Sequence, residues 1–221
     1  MTLAVIVPSR GRPQNIADLI EAWALTETEA ALIVAVDDDD PTLDDYLDLT
    51  PCEVGPRLRM AGTLNAVATK HAGDYTHLGF MGDDHRPRTL HWDQQVHTEL
   101  DRLGTGIVYG NDLLQGEALP TAFFLAADIV STLGWMAPPT LTHLFIDNAI
   151  LDLGRALNVI TYLPDVIIEH VHPVAGKAAW DDGYVEANSD DVWTHDERAY
   201  RNWRANHLAD DVARIRAAGY V

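Results

Sequence analysis

Asp83 and Asp84 close an apolar run, with His85 directly behind them, and a carboxylate pair in that place suits a hard divalent cation, Mn2+ or Mg2+, shared with phosphate oxygens. Aspartates after a strand also satisfy backbone donors in ordinary turns, so the pair takes its meaning from its company. A first apolar run ends in Pro8-Ser9-Arg10, with Arg12 close behind, and the two arginines are of the type that binds phosphate through charge-assisted hydrogen bonds. A second run delivers four aspartates, Asp37 to Asp40, of which the first pair is expected to point into a cleft and the second pair into solvent. Farther along, Asp147 lies in Phe145-Ile146-Asp147-Asn148 at the start of a helical segment, where an aspartate can cap the helix or, facing a cleft, take a proton as general base. His170 and His172 follow another apolar strand. Alternate residues of an extended chain face opposite sides, so only one of the two is expected at a metal. His172 is the better placed, since Pro173 and Gly176-Lys177 suggest a loop able to fold over a ligand.

These residues need elements to position them. Leu3-Ala4-Val5-Ile6-Val7 reads as a buried parallel strand, Pro13 opens a helix with Ile16, Leu19, Ile20 and Trp23 at helical spacing, and residues 31–36 form a second buried strand. Beyond this β-α-β start the pattern predicts strands at 53–60, 76–81, 106–109, 121–126 and 166–169. Helices are predicted at 62–72, 89–103, 127–133 and 144–157, with a last one ending near 218. Alternation of this kind predicts an α/β fold with a mainly parallel sheet and helices on both faces, in which ligands collect at the carboxyl ends of the strands. Residues 1–176 are read as the nucleotide-binding and catalytic part, and 177–221 as an acceptor-side cover belonging to the same domain, whose Trp180, Trp193 and Trp203 are each expected to be buried against the sheet.

The 221 residues suffice for one α/β core. With 15 basic against 34 acidic residues the formal charge is −19, which disfavours nucleic acid as a partner while leaving room for a nucleotide held by local arginines or a metal. The single cysteine, Cys52, excludes an internal disulfide framework. No apolar run approaches the ~18 residues that span a bilayer, and the amino terminus carries no cleavage signal, so the expectation is a soluble cytoplasmic protein without a membrane partner.

In order and spacing, residues 1 to 155 resemble the family-2-like glycosyltransferases of the A-type (GT-A) nucleotide-sugar fold. A strand ending in proline and a small hydroxyl residue is followed by a strand ending in paired aspartates. A helix carrying Asn65 then leads through Gly73-Asp74-Tyr75 to the acidic motif. The resemblance implies a Rossmann-like single domain that binds a nucleotide-sugar donor with Mn2+ or Mg2+ and transfers the sugar to a hydroxyl acceptor. It makes Asp38 the acceptor for the nucleobase imide, places Pro8 and Ser9 beside the base, assigns Arg59 to the diphosphate, and puts Arg10, Asn65 and Asp83 on the donor side. Asp84 becomes the principal metal ligand, helped by His85 and by the late His172, and Asp147 becomes the general base of an inverting enzyme. Gly82 departs from the pattern, standing where many members have a further aspartate, and so does His85, which often is an acid. Two other readings stay open: a nucleotidyltransferase acting on a sugar phosphate, and a nucleotide-binding protein without turnover.

Overall fold

The first apolar run forms β1 (Leu3–Ser9), buried throughout, because helices cover both of its faces. The computed structural model describes residues 3–177 and 179–219. After β1 the chain runs α1 (Pro13–Leu25), β2 (Ala31–Asp37), α2 (Leu43–Leu49), β3 (Cys52–Gly55), α3 (Arg59–His71) and β4 (His77–Phe80). A three-residue β5 (His85–Pro87) precedes α4 (Trp92–Leu103), β6 (Ile107–Asn111), β7 (Phe123–Ala126) and α5 (Ala127–Leu133). Next come α6 (Ile146–Leu157) and the long β8 (Ile160–His170), and then α7 (Asp182–Ala187), α8 (Asp190–Asn206) and α9 (Leu208–Ala217).

One eight-stranded sheet has the order β3-β2-β1-β4-β7-β6-β8-β5. Strands β3, β2, β1 and β4 are mutually parallel, β7 pairs antiparallel with β4 and β6, and β5 pairs antiparallel with β8. The mainly parallel α/β architecture with helices on both faces is therefore present. Alternation along β1 divides the core in two: Leu3, Val5 and Val7 pack with α1, α2 and α4, whereas Ala4 and Ile6 pack with α3, α5, α6 and the last two helices. Among the described residues, no helix is long and apolar enough to cross a membrane.

Two departures from the sequence reading bear on the site. Strand 166–169 is the end of a longer β8, whose pairing with β6 shifts register between Gly110 and Asn111, where a Cβ on Gly110 would lie 2.4 Å from the Val166 carbonyl. The other concerns the tail, whose tryptophans are read from sequence as buried. Trp203 is 4% exposed in the core, but Trp180 and Trp193 are 56% and 50% exposed.

The tail helices also fix the loop ahead of α6. Asp196 of α8 is fully buried, and its carboxylate accepts the backbone N–H groups of Thr142, His143 and Leu144 at 3.0, 2.8 and 2.7 Å, together with the Thr142 hydroxyl. The Thr142 carbonyl in turn accepts the Ala61 N–H of α3. Removing the carboxylate would orphan several buried donors at once. Asp196→Ala is accordingly expected to lower stability by about 3 kcal/mol or more in urea denaturation; a loss under about 1 kcal/mol would show the loop to be held by other contacts.

Candidate active site

The carboxyl ends of β1, β2 and β4, the start of α6 and the end of β8 enclose a cavity of about 670 Å3, a size that suits a nucleotide-sized ligand. Of the residues singled out from sequence, Pro8, Ser9, Arg10 and Arg59 line it, as do Asp83, Asp84, His85, Asp147 and His172. Asp38 and Asn65 do not. Strand β2 ends on Asp37, whose buried side chain faces the cavity and meets Arg10 at 3.0 Å, so the next residue points outward and Asp38 is exposed. Asn65 is used as a clamp: its amide oxygen accepts the N–H groups of Met136 and Ala137 at 2.7 and 2.8 Å, and its amide nitrogen donates to the Ala137 carbonyl.

The acidic pair is split by its partners. Asp83 receives the Ser9 hydroxyl at 2.6 Å, Arg12 at 3.3 Å and Asn15 at 3.4 Å, so its oxygens are committed to holding α1 against the sheet. Burial, then the charge of Asp84, pushes the Asp83 carboxyl up. Burial acts the same way on Asp84 but is outweighed by His170 and His85, which hold it well below the usual carboxylate range. Asp84 is thus the member that carries charge. Its Oδ2 lies 3.2 Å from His170 Nε2 and accepts the Tyr184 hydroxyl at 2.7 Å.

His85 meets the other oxygen of Asp84, with Nδ1 3.3 Å from Oδ1, and stands outside the cluster that Asp84 forms with His170 and His172. Its Nδ1 accepts the Gly82 N–H at 3.0 Å, and its Nε2 faces the Thr121 hydroxyl at 3.3 Å. The β5–β8 register sets it opposite His170, on which it stacks with ring centroids 4.2 Å apart. Gly82 is explained by the same crowding, since a Cβ there would lie 2.6 Å from Asp84 Oδ1. Both late histidines reach the cavity. Strand β8 stops at His170, the chain bends, and the His172 ring comes within 4.9 Å of the His170 ring, so strict alternation no longer applies. One ligand atom from each of Asp84, His170 and His172 lies within 4.8 Å of the others. Among the described residues the buried His170 Nδ1 has no hydrogen-bond partner, with Asp112 Oδ2 4.0 Å away.

Over this floor lies α7, whose contacts the sequence did not signal. Asp181 pairs with Arg12 at 2.6 Å, and the Arg12 guanidinium lies 3.8 Å from the centroid of the Tyr184 ring. Glu186 binds Arg57 at 2.8 Å and Arg59 at 2.6 Å. Arg57 was also missed, although it stands two residues before Arg59 in the loop after β3. The tail thus covers the cationic side of the cavity, and its carboxylates occupy arginines that an anionic ligand would use.

Asp147 sits in the first turn of α6, lining the cavity, and its Oδ1 accepts the Asn148 N–H at 2.8 Å. Burial pushes its carboxyl up to about 6. Just ahead of α6, Phe145 has φ 64°, a left-handed conformation costly for a bulky residue. Its ring is wedged between Tyr200 and Trp193, at 5.5 and 5.1 Å, so α8 holds the turn that aims Asp147.

No protein-family model and no curated protein matches the chain. Solved structures do. A mannosyltransferase, PcManGT from Pyrobaculum calidifontis in complex with GDP-Man and Mn2+, is 13% identical with a TM-score of 0.58, covering 98% of this chain and 73% of that one. Glucosyl-3-phosphoglycerate synthase from Mycobacterium tuberculosis, in complex with Mn2+, UDP-Glc and glycerol 3-phosphate, is 14% identical with a TM-score of 0.58, covering 92% and 79%. The 1–349 portion of S. aureus TarS with UDP is 17% identical with a TM-score of 0.54, covering 76% of this chain but only 59% of that one. At these identities the likeness is one of fold: the chain has the GT-A fold of nucleotide-diphospho-sugar transferases.

If Arg57 and Arg59 form an anion subsite that Glu186 occupies, Glu186→Ala should bind inorganic pyrophosphate several-fold more tightly than the wild type in calorimetry, the difference shrinking as salt is raised. Equal affinities would show that the two arginines are not the anion subsite.

Proposed function

We propose that this chain is a metal-dependent glycosyltransferase that moves a sugar from a nucleotide-diphosphate donor to an acceptor hydroxyl, with inversion at the anomeric carbon. The observation that carries this reading is the meeting, around one cavity, of the carboxyl groups of Asp84 and Asp147 and the arginines after β3. Neighbours in fold space support it, because PcManGT and glucosyl-3-phosphoglycerate synthase are seen with nucleotide sugars and Mn2+.

The residues present fit a divalent cation. Asp84 offers a charged oxygen, His170 and His172 offer nitrogens, and the Tyr184 hydroxyl now supplies the positive hydrogen that faces Asp84. A bound Mn2+ or Mg2+ would offset charge developing on the diphosphate leaving group. Arg57 and Arg59, once released from Glu186, neutralise diphosphate oxygens by charge-assisted hydrogen bonds. Asp37, held by Arg10, stands where the resemblance asked Asp38 to receive the nucleobase, so that role passes to Asp37.

Asp147 takes the proton of the acceptor hydroxyl as its oxygen bonds to the anomeric carbon and the bond to the diphosphate oxygen breaks. With a pKa of about 6 the carboxylate is ionised at neutral pH yet more basic than an exposed aspartate, the tuning that general bases need. Only the deprotonated form accepts a proton, so kcat/KM should fall as pH drops through about 6.

With Mn2+ and a panel of nucleotide sugars, the protein should slowly release nucleoside diphosphate. Asp147→Asn should cut transfer by about 100-fold or more while nucleotide binding is retained. Full transfer by Asp147→Asn would remove the base assignment. Thermal stabilisation by nucleotide with no release would instead indicate a binding protein without turnover.

A further inference from the structure

At the other end of β4 from the acidic pair, three side chains converge that the proposed reaction does not use. His77 opens the strand and is 4% exposed, while His97 and Asp101 project from one face of α4, a turn apart. One ligand atom from each lies within 4.8 Å of the others. The imidazoles meet Nδ1 to Nδ1 at 3.0 Å, with their planes at 68°. Asp101 lies against the far edges of both rings, with Oδ1 3.7 Å from His77 Nε2 and Oδ2 3.3 Å from His97 Nε2.

This arrangement selects the tautomers. A carboxylate oxygen attracts an N–H and repels a nitrogen lone pair, so Asp101 favours the tautomer of each neutral ring that carries its proton on Nε2, most directly in His97. The two Nδ1 lone pairs then face each other across 3.0 Å, a repulsive contact unless a positive centre joins them. The Thr76 hydroxyl, 3.5 Å from His77 Nδ1, is at the limit of hydrogen-bond reach and cannot serve both nitrogens. A proton is one such positive centre. A metal ion is the other. With nitrogen–metal bonds of about 2.0–2.1 Å, two nitrogens 3.0 Å apart subtend roughly 95° at the ion, a feasible coordination angle.

We propose that His77 and His97 bind a transition-metal ion such as Zn2+ through their Nδ1 atoms, with Asp101 orienting both rings through their Nε2–H groups. A carboxylate behind a ligating imidazole is the usual outer partner of such sites. Solvent completes the coordination, for the His97 and Asp101 side chains are 41% and 61% exposed and leave an entry path. Imidazole donors favour Zn2+, Ni2+ and Cu2+ over Mn2+ and Mg2+, so a site whose only protein donors to the ion are two imidazoles discriminates against the hard ions. The bound ion would staple α4 to the start of the strand that ends in the acidic pair.

Zn2+ is titrated calorimetrically into the full chain carrying Asp84→Asn, His170→Ala and His172→Ala, which removes the ligands at the other site. One equivalent should bind and raise the Tm by roughly 5–10 °C at a hundredfold excess over Kd. Adding His97→Ala, an exposed change whose fold is checked by circular dichroism, should weaken binding at least about 100-fold and erase the Tm rise; Asp101→Asn should weaken it about tenfold. In the wild-type background, His97→Ala alone should remove one tightly bound Zn2+ equivalent, which keeps the test valid if the triple variant folds poorly. No Zn2+ uptake, or uptake indifferent to His97→Ala, overturns the site. An Asp101→Asn protein as tight as its parent overturns the orienting role.

Discussion

Two carboxylates side by side at the end of β4 repel each other, and the molecule resolves that repulsion by giving them unlike partners. Asp83 is handed hydrogen bonds from Ser9, Arg12 and Asn15, which tie the end of β1 and the start of α1 to β4. Asp84 is left to carry the charge, facing His170, His172 and Tyr184 from the late part of the chain. Because neighbouring like charges do not both ionise freely, committing Asp83 to structural contacts favours charge on Asp84. Loss of the Ser9 and Arg12 contacts would therefore disturb Asp84 without touching it.

The late chain matters as much as the sheet. Helix α8 holds the loop before Asp147 through Asp196 and wedges the left-handed Phe145 through Trp193 and Tyr200. Helix α7 lays Tyr184 on Asp84 and Glu186 on the arginines after β3. The segment expected from sequence to cover an acceptor closes the cavity's arginine-lined side, with side chains that balance its charges.

Much of the fold was legible because buried parallel strands are written as continuous apolar runs: β1, β2 and β4 appear in the sequence almost as they are. The short α2, the three-residue β5 and the early half of β8 were not, since α2 is acidic and short, β5 has no period to show, and β8 is half-exposed and bent by its register shift. That Asp84 and Asp147 would line a cavity was readable from their places after a strand and at a helix start. Asp38 falls outside the cavity, because the last inward residue of β2 depends on where the strand stops. Asn65 was drawn to the donor by resemblance, whereas the local demand of two backbone N–H groups and a carbonyl in the 136–137 segment claims it. Asp196, Tyr184 and Glu186 gave no signal, for their meaning lies in contacts spanning more than fifty residues.

The most direct measurement is a crystal structure of the protein soaked with Mn2+ and UDP or GDP. The ion should lie on Asp84 and at least one of His170 and His172, and the diphosphate against Arg57 and Arg59 with Glu186 displaced. Asp147 should face the open side of the diphosphate. An ion bound away from Asp84, or a nucleotide lodged outside this cavity, would contradict the proposed function.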